Sequence, residues 1–202
     1  MARRDTRALV AHLFRRAGFG LRPEELDHFT RLGVQESVDY LINYDQIADP
    51  AETRYPIADI APITAKLNAL FAALDRSQSN RAELIRELRA DLNQVKLTLQ
   101  GWWINRMLST SRPLQEKMTL FWHGHFATAL QKVDAPQMLA QNLLFRKMAL
   151  GNFNALLKAV TSDAAMLHWL DGDLNRKGHP NENLGREVME LFTVGLGHYT
   201  EK

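Results

Sequence analysis

The 202-residue sequence contains no cysteine. This absence excludes a disulfide framework, a thiolate zinc site, a cysteine nucleophile and covalent haem attachment. No apolar run approaches the roughly 18 residues that a membrane-spanning helix needs. A strong charge of one sign is also lacking, because 25 basic and 23 acidic residues leave a net charge of +2. Hydrophobic residues make up 46% of the chain, which is enough for a packed core, and the length predicts a single domain over residues 1–202.

The recognisable motifs of several enzyme classes are missing as well. The sequence has no G-x-S-x-G elbow, no P-loop, no dinucleotide-binding fingerprint and no H-E-x-x-H pair. The first twenty residues are basic, but His12, Arg15 and Arg16 interrupt the apolar run that a signal peptide would require. These residues indicate an amphipathic helix without an export signal, so a cytoplasmic location is the default expectation.

Apolar residues recur at helical spacing along nearly the whole chain, and no segment shows the alternation of β-branched residues that is typical of strands. The longest helical pattern begins near Asn80 and continues to about Leu108, which predicts one long central helix. Residues 45–62 contain three prolines and are interpreted as an irregular connector within the domain. The predicted fold is therefore an all-α, bundle-like domain of many helices with little or no sheet.

Two histidines near the middle of the chain are the first candidate site. His123 and His125 are two residues apart, so on a helix they point in different directions and share one metal ion only if the helix ends or unwinds near Gly124. Glu116 lies seven residues before His123 and shares its face. Neutral imidazole is a common metal ligand and also an ordinary core residue with one hydrogen-bond partner, so both interpretations stay open.

The second candidate site is an acidic stripe near the end of the chain. Asn183, Glu187 and Glu190 follow at i, i+4 and i+7, next to an apolar stripe that predicts partial burial of Glu187. A buried carboxylate is costly unless it is paired, hydrogen-bonded or bound to a metal. Arg186 lies off this face, so we expect its partner on another element. Two glycines before His198 allow a tight reversal toward Glu187.

Three stretches of the sequence resemble an uncharacterised bacterial family, the "domain of unknown function 1800". They are LVAHLFRRAGFG, LQEKMTLFWHGHFAT and NRKGHPNENLGREVMELFTVGLGHYTE, and the similarity runs from about Leu9 to the last residue. The resemblance implies a mostly helical protein with no established activity. It also implies that relatives are often longer and that many are exported. We therefore expect this chain to be an N-terminal portion on which further C-terminal helices pack.

The stretches that carry the resemblance contain the polar residues that spacing selects. These residues favour a divalent-metal-dependent enzyme of the hydrolase type, since bundles build metal sites from carboxylates and imidazoles on facing helices. The predicted metal ligands are His123, His125, Glu187 and Glu190. The predicted catalytic residues are Glu187, Arg186 and His198. The predicted supporting polar network consists of Glu116, Asn181, Glu182 and Asn183.

Two other functions stay open. The same residues can form a buried polar network that fixes helix registry in a non-catalytic interaction or scaffold module. The basic N-terminal helix, with five arginines among its first sixteen residues, could bind nucleic acid weakly, but this idea rests on charge alone and the small net charge argues against it. The hypotheses differ in whether the two histidines and the late acidic stripe meet around a shared ligand.

Overall fold

The computed structural model of the chain describes residues 2–76, 79–178 and 182–200. Within these ranges the chain forms eleven α-helices and no β-strand, which confirms the all-α prediction. Short 3-10 turns lie at Tyr44–Gln46 and Gly172–Leu174, and a π-helix at Val188–Thr193 continues the last α-helix. The α-helices are α1 (Ala2–Ala17), α2 (Pro23–Leu32), α3 (Val34–Ile42), α4 (Pro50–Arg54), α5 (Ala61–Arg76), α6 (Arg81–Ser109), α7 (Pro113–His125), α8 (Ala135–Lys147), α9 (Phe153–Thr161), α10 (Ala164–Trp169) and α11 (Asn183–Glu187).

The long helix predicted from the sequence is α6, which has 29 residues. It begins directly after Asn80, whose carbonyl accepts a hydrogen bond of 3.1 Å from the Glu83 amide. Val95 and Leu99 are buried as the apolar pattern predicts, whereas Leu92 of the same pattern is 43% exposed. None of the described helices combines the length and the apolar character needed to cross a membrane.

The chain divides into two compact units. Unit 1 comprises Met1–Ala58 and Gln100–Leu120, and unit 2 comprises Asp59–Leu99 and Phe121–Lys202. Both α6 and α7 contribute residues to each unit. The two units are therefore each built from discontinuous stretches of the chain. The single domain over residues 1–202 stays a prediction.

The core of unit 1 forms where α1, α2 and α3 pack together. Val10 and Phe14 of α1 are buried with Phe29 and Leu41, and the rings of Phe14 and Phe29 have centroids 4.5 Å apart. Arg15 and Arg16 of α1 are exposed, and Arg7 forms an ion pair with Asp27 of α2. The predicted amphipathic helix at the N-terminus is thus confirmed, because its apolar side chains supply this core.

The segment of residues 45–62 is less irregular than its three prolines suggest. Pro50 occupies the first turn of α4, where its missing N–H costs nothing. The Asp49 carboxylate caps this helix and accepts a hydrogen bond of 3.2 Å from the Ala51 amide. The proline therefore starts a short helix inside the predicted connector.

The core of unit 2 is a cluster of aromatic and aliphatic side chains from the end of α7, α8, α9, α10 and the π-helix. Phe126 and Phe145 are fully buried, with ring centroids 5.9 Å apart. Phe192 of the π-helix packs against Phe126 at 5.2 Å. This core holds the end of α7, with its two histidines, next to the helix that carries the late acidic stripe.

Candidate functional site

Glu116 lies in a polar network of unit 1 that we call the Arg106 network. Its side chain is fully buried, so its charge needs partners within the protein. One carboxylate oxygen accepts from Arg106 Nε at 3.3 Å, and the other accepts from Trp103 Nε1 at 3.0 Å. The sequence analysis placed Glu116 in a supporting polar network on the face of His123; in the structure the partners named here come from α6.

Asp49 is the second carboxylate of the Arg106 network. Its Oδ2 lies 3.6 Å from Arg106 Nη2 and accepts a hydrogen bond of 2.9 Å from the Thr110 hydroxyl. Its Oδ1 accepts from the Ser111 amide at 2.9 Å. Asp49 therefore ties the start of α4 to the connection between α6 and α7, and one buried arginine holds two buried carboxylates.

His123 belongs to a different network, the His123 network, with Asn142 and Arg146 of α8. Arg146 Nη1 donates to Asn142 Oδ1 at 2.7 Å, which orients the amide so that its Nδ2 faces His123 Nε2 at 3.1 Å. An amide nitrogen only donates, so His123 Nε2 accepts. Burial, assisted by the positive charge of Arg146, lowers the pKa of His123 from 6.5 to about 4. This imidazole is therefore neutral at pH 7.

His125 faces the π-helix. Its Nε2 donates to the Phe192 carbonyl oxygen at 3.1 Å, because a carbonyl only accepts. Carbonyls in the last turn of a helix lack intrahelical partners, so this bond caps the end of the π-helix. The His125 ring also stacks on Phe121 with an angle of 9° between the planes. Since α7 remains helical through Gly124, the two histidines have separate partners.

Arg186 is the centre of the third polar group, the Arg186 cluster. Its guanidinium donates to Asn183 Oδ1 at 3.0 Å, to Glu187 Oε1 at 3.1 Å and to Glu190 Oε2 at 3.2 Å. The expectation that Arg186 finds its partner on another element is wrong. Its long side chain lies along the helix and reaches residues three before, one after and four after it.

Tyr199 completes the Arg186 cluster. The chain reverses after the π-helix at Gly195, which has φ +85°, and the Tyr199 hydroxyl donates to Glu190 Oε1 at 2.5 Å. The reversal predicted from the two glycines therefore brings back the residue after His198, while His198 itself is exposed. The π-helix offsets the positions after Glu187 from a regular α-helix, as short π segments do at many functional sites.

Six of the ten predicted site residues thus lie in the three polar groups: Glu116, His123, Asn183, Arg186, Glu187 and Glu190. Glu182 is exposed at the start of α11, and its carbonyl accepts from the Arg186 amide at 3.0 Å. Asn181 lies outside the residues that the structure describes. His125 meets the backbone of the acidic segment, whereas Glu187 and Glu190 bind Arg186 and Tyr199. In the described ranges no three His, Asp or Glu side chains form a group that could hold a metal ion.

A fourth polar group, which is buried in unit 2, has no counterpart among the predicted residues. Gln141 is fully buried; its Oε1 accepts from the Thr128 hydroxyl at 2.5 Å and its Nε2 donates to Asp163 Oδ2 at 2.7 Å. Asp163 also caps α10 by accepting from the Met166 amide. Burial raises the pKa of Asp163 despite these hydrogen bonds.

Sequence reasoning missed several residues that the networks depend on. The missed residues are Asp49, Arg106, Gln141, Asn142, Arg146, Asp163 and Tyr199. Asp49 and Asp163 carried a usable signal, since each directly precedes a helix where an acidic cap is favoured. Arg106 and Arg146 carried none, because an arginine on a helix is more often exposed than buried.

Comparison with known proteins adds the family and no activity. The model of a family described as "Protein of unknown function (DUF1800)" matches residues 12–202. No curated protein and no solved structure matches the chain. The matching range contains Glu116, both central histidines and the Arg186 cluster. The chain therefore belongs to the DUF1800 family of proteins of unknown function.

Proposed function

We propose that this chain is a non-catalytic helical scaffold or interaction module whose buried polar networks fix the positions of its helices. The observation that supports the proposal most strongly is the complete burial of the Glu116 side chain. Its side chain is 0% exposed and both carboxylate oxygens accept hydrogen bonds from α6. A carboxylate enclosed in this way does not reach a substrate, but it specifies how α7 lies against α6 within unit 1.

The His123 network supports the same proposal in unit 2. A chain of hydrogen bonds runs from Arg146 through Asn142 to His123, and each donor faces an acceptor. The imidazole is neutral, and its Nε2 accepts a hydrogen bond from Asn142 Nδ2. Such a network orients α8 against α7 and leaves this nitrogen no proton to exchange with a substrate.

The proposal is tested by the free energy of unfolding of Glu116→Ala, with Glu187→Ala as the matched control. Removing one partner of a buried ion pair costs about 3–5 kcal/mol, because the other charge stays buried. Glu187 pairs with Arg186, whose side chain is 44% exposed, and exposed pairs contribute only about 0–1 kcal/mol. Urea unfolding followed by circular dichroism measures both values.

A second variant keeps the test usable if Glu116→Ala does not fold. Glu116→Gln retains an acceptor for Trp103 and removes only the charge next to Arg106, so we expect an intermediate loss of stability. Unfolding free energies of Glu116→Gln and Glu116→Ala that both equal the wild-type value would contradict the scaffold proposal.

The Arg186 cluster favours a second candidate function, a metal-dependent hydrolase. The Glu187 and Glu190 side chains are 18% and 14% exposed and lie on either side of one arginine at the start of a π-helix. Carboxylate oxygens of this kind are common ligands for divalent ions. The ion would have to replace Arg186 as their partner, and it would supply an acidified water as the nucleophile.

The metal candidate is tested by thermal unfolding of the full chain with Zn²⁺, Mn²⁺ or Mg²⁺ against a chelator. Binding to the folded state alone stabilises by about 2.7 kcal/mol at a hundredfold excess over the dissociation constant. Glu187→Gln and Glu190→Gln would abolish the shift, whereas Glu182→Gln, an exposed neighbour, would keep it. An unchanged melting temperature with all three ions would exclude this candidate and leave the scaffold proposal in place.

A further inference from the structure

Unit 1 contains a cavity of about 730 Å³ that none of the functions above uses. Its walls come from the connection between α1 and α2, from α3 and α4, and from the end of α6 with the loop before α7. The volume lies within the range of roughly 300–1,000 Å³ that is typical of small-molecule sites. The cavity is therefore large enough for a ligand with a ring system or an alkyl chain.

One wall of the cavity is aromatic. The rings of Phe14 and Phe29 have centroids 4.5 Å apart, and Phe29 and Tyr40 follow at 4.9 Å. Phe19 also lines the cavity and is 39% exposed. The Tyr40 hydroxyl donates to the Ser111 carbonyl oxygen at 2.6 Å. Tyr40 therefore offers a ligand its ring rather than a free hydrogen-bond donor. Phe14 and Phe29 are only 1% and 6% exposed, so the aromatic surface that is open to an apolar body is chiefly the ring of Phe19 beside that of half-buried Tyr40.

The charged side chains of the cavity are mostly cationic. Arg22 and Arg54 line it, and both are exposed and make no ion pair within the described part of the chain. Glu25 also lines it, but its Oε2 accepts from the Arg22 amide at 2.7 Å and so caps α2. Lys117 does not line the cavity, but its Nζ lies 5.2 Å from the Phe19 ring centroid.

Among the described arginines of unit 1, Arg15, Arg16 and Arg31 are likewise exposed without an ion pair, but only Arg22 and Arg54 also line the cavity. Three others have carboxylate partners. Arg7 pairs with Asp27, Arg106 with Asp49 and Glu116, and Arg112 with Glu52. A guanidinium that has no carboxylate partner and lines a cavity is a ready site for an anion, because it binds carboxylate and phosphate groups through two parallel hydrogen bonds.

We propose that the cavity of unit 1 binds a small organic anion with an apolar body. Arg22 and Arg54 hold the anionic head, and the exposed Phe19 ring with the Tyr40 ring beside it holds the body. An aryl or alkyl carboxylate combines both features in one molecule. The proposal concerns ligand binding and does not depend on the scaffold function, since its test reads binding rather than the stability of the Arg106 network.

The test is calorimetric titration of the full chain with 2-naphthoate, with its neutral analogue 2-naphthylmethanol and with acetate. We expect saturable binding of one 2-naphthoate and at least about tenfold weaker binding of the other two. 2-Naphthylmethanol lacks the charge that the guanidinium groups bind, and acetate lacks the apolar body. Arg22→Gln and Arg54→Gln each weaken 2-naphthoate binding about tenfold or more. Arg31→Gln, an exposed arginine of α2 outside the cavity, binds like wild type.

A second variant tests the location directly. Ser109 lines the cavity at the end of α6, and Ser109→Phe fills part of its volume, so we expect loss of 2-naphthoate binding. Circular dichroism and melting temperature establish that each variant is folded. Absence of saturable binding, equal affinity for 2-naphthylmethanol, or wild-type affinity in Arg22→Gln, Arg54→Gln and Ser109→Phe would each overturn the proposal.

Discussion

Glu116 and Glu187 show at the residue scale how surroundings decide the role of a carboxylate. Both are glutamates on helices and both lie within motifs that resemble the family. Glu116 is enclosed by Arg106 and Trp103, so its charge is a structural element of unit 1. Glu187 pairs with a half-exposed arginine of its own helix, where solvent screens the interaction and reduces its contribution to stability.

His123 leads to a prediction for the pH dependence of stability. Its pKa is lowered from 6.5 to about 4 in the folded protein, so the unfolded chain takes up this proton first as the pH falls. The free energy of unfolding is therefore highest above about pH 6.5 and falls progressively as the pH drops to about 4. The total loss that His123 causes is on the order of 3 kcal/mol. Urea unfolding at several pH values across this window measures the loss.

The control for this prediction is a second histidine. His123→Asn removes the titrating group and flattens the dependence between pH 6.5 and 4. His12→Asn replaces an exposed histidine of α1 and retains the wild-type slope. A slope that persists unchanged in His123→Asn would show that another group is responsible.

At the element scale, a residue that caps a short helix can also bind residues of other elements. Asp49 caps α4 and also binds Ser111, Thr110 and Arg106. Asn152 caps α9 through a single hydrogen bond of 3.1 Å to the Ala155 amide. The two residues occupy the same position relative to their helices, but only Asp49 joins distant segments of its unit.

This difference predicts unequal costs for removing the two caps. Asn152→Ala loses one cap, which is worth about 0.5–2 kcal/mol. Asp49→Ala also leaves Arg106 with one carboxylate and frees the Ser111 amide, so we expect a loss of about 3–5 kcal/mol. Chemical unfolding of both variants gives the comparison. Equal losses would mean that the contacts of Asp49 beyond its cap contribute nothing.

At the scale of the whole molecule, large apolar side chains remain exposed near the end of the described chain. Leu191, Val194 and Leu196 are 60%, 51% and 72% exposed. They follow one another within six residues of the π-helix and the turn after it. Neighbouring exposed apolar residues favour association, because contact with another apolar surface removes them from water.

We therefore expect the chain to associate as its concentration rises, as measured by sedimentation velocity. The triple variant Leu191→Ser, Val194→Ser, Leu196→Ser should remain monomeric over the same range with an unchanged melting temperature. Leu174→Ser, a single change at a 62% exposed leucine of unit 2, should associate like wild type. A wild-type chain that stays monomeric throughout would disprove the expectation.

The fold followed from the sequence more closely than the site did. The period of the apolar residues predicted α6 and the amphipathic α1, because burial of one helix face leaves a regular trace in the chain. Asp49 followed by Pro50 is a local signal for the start of α4. It was not recognised, because the three prolines of residues 45–62 were interpreted as an irregular connector. The partners of Glu116 and Arg186 were not available, since nothing local indicates which side chains a tertiary contact brings together.

The sequence by itself determined the helical class, the family and the polar residues in its motifs. These properties depend on residue type and on spacing along the chain. Only the tertiary structure decided which partners these residues have: Glu116 binds Arg106 and Trp103, His123 binds Asn142, and Glu187 binds Arg186. It also placed Arg22 and Arg54 at one cavity. Contacts between residues far apart in the chain depend on how the helices pack, and that packing is set by the sum of many apolar contacts rather than by any single motif.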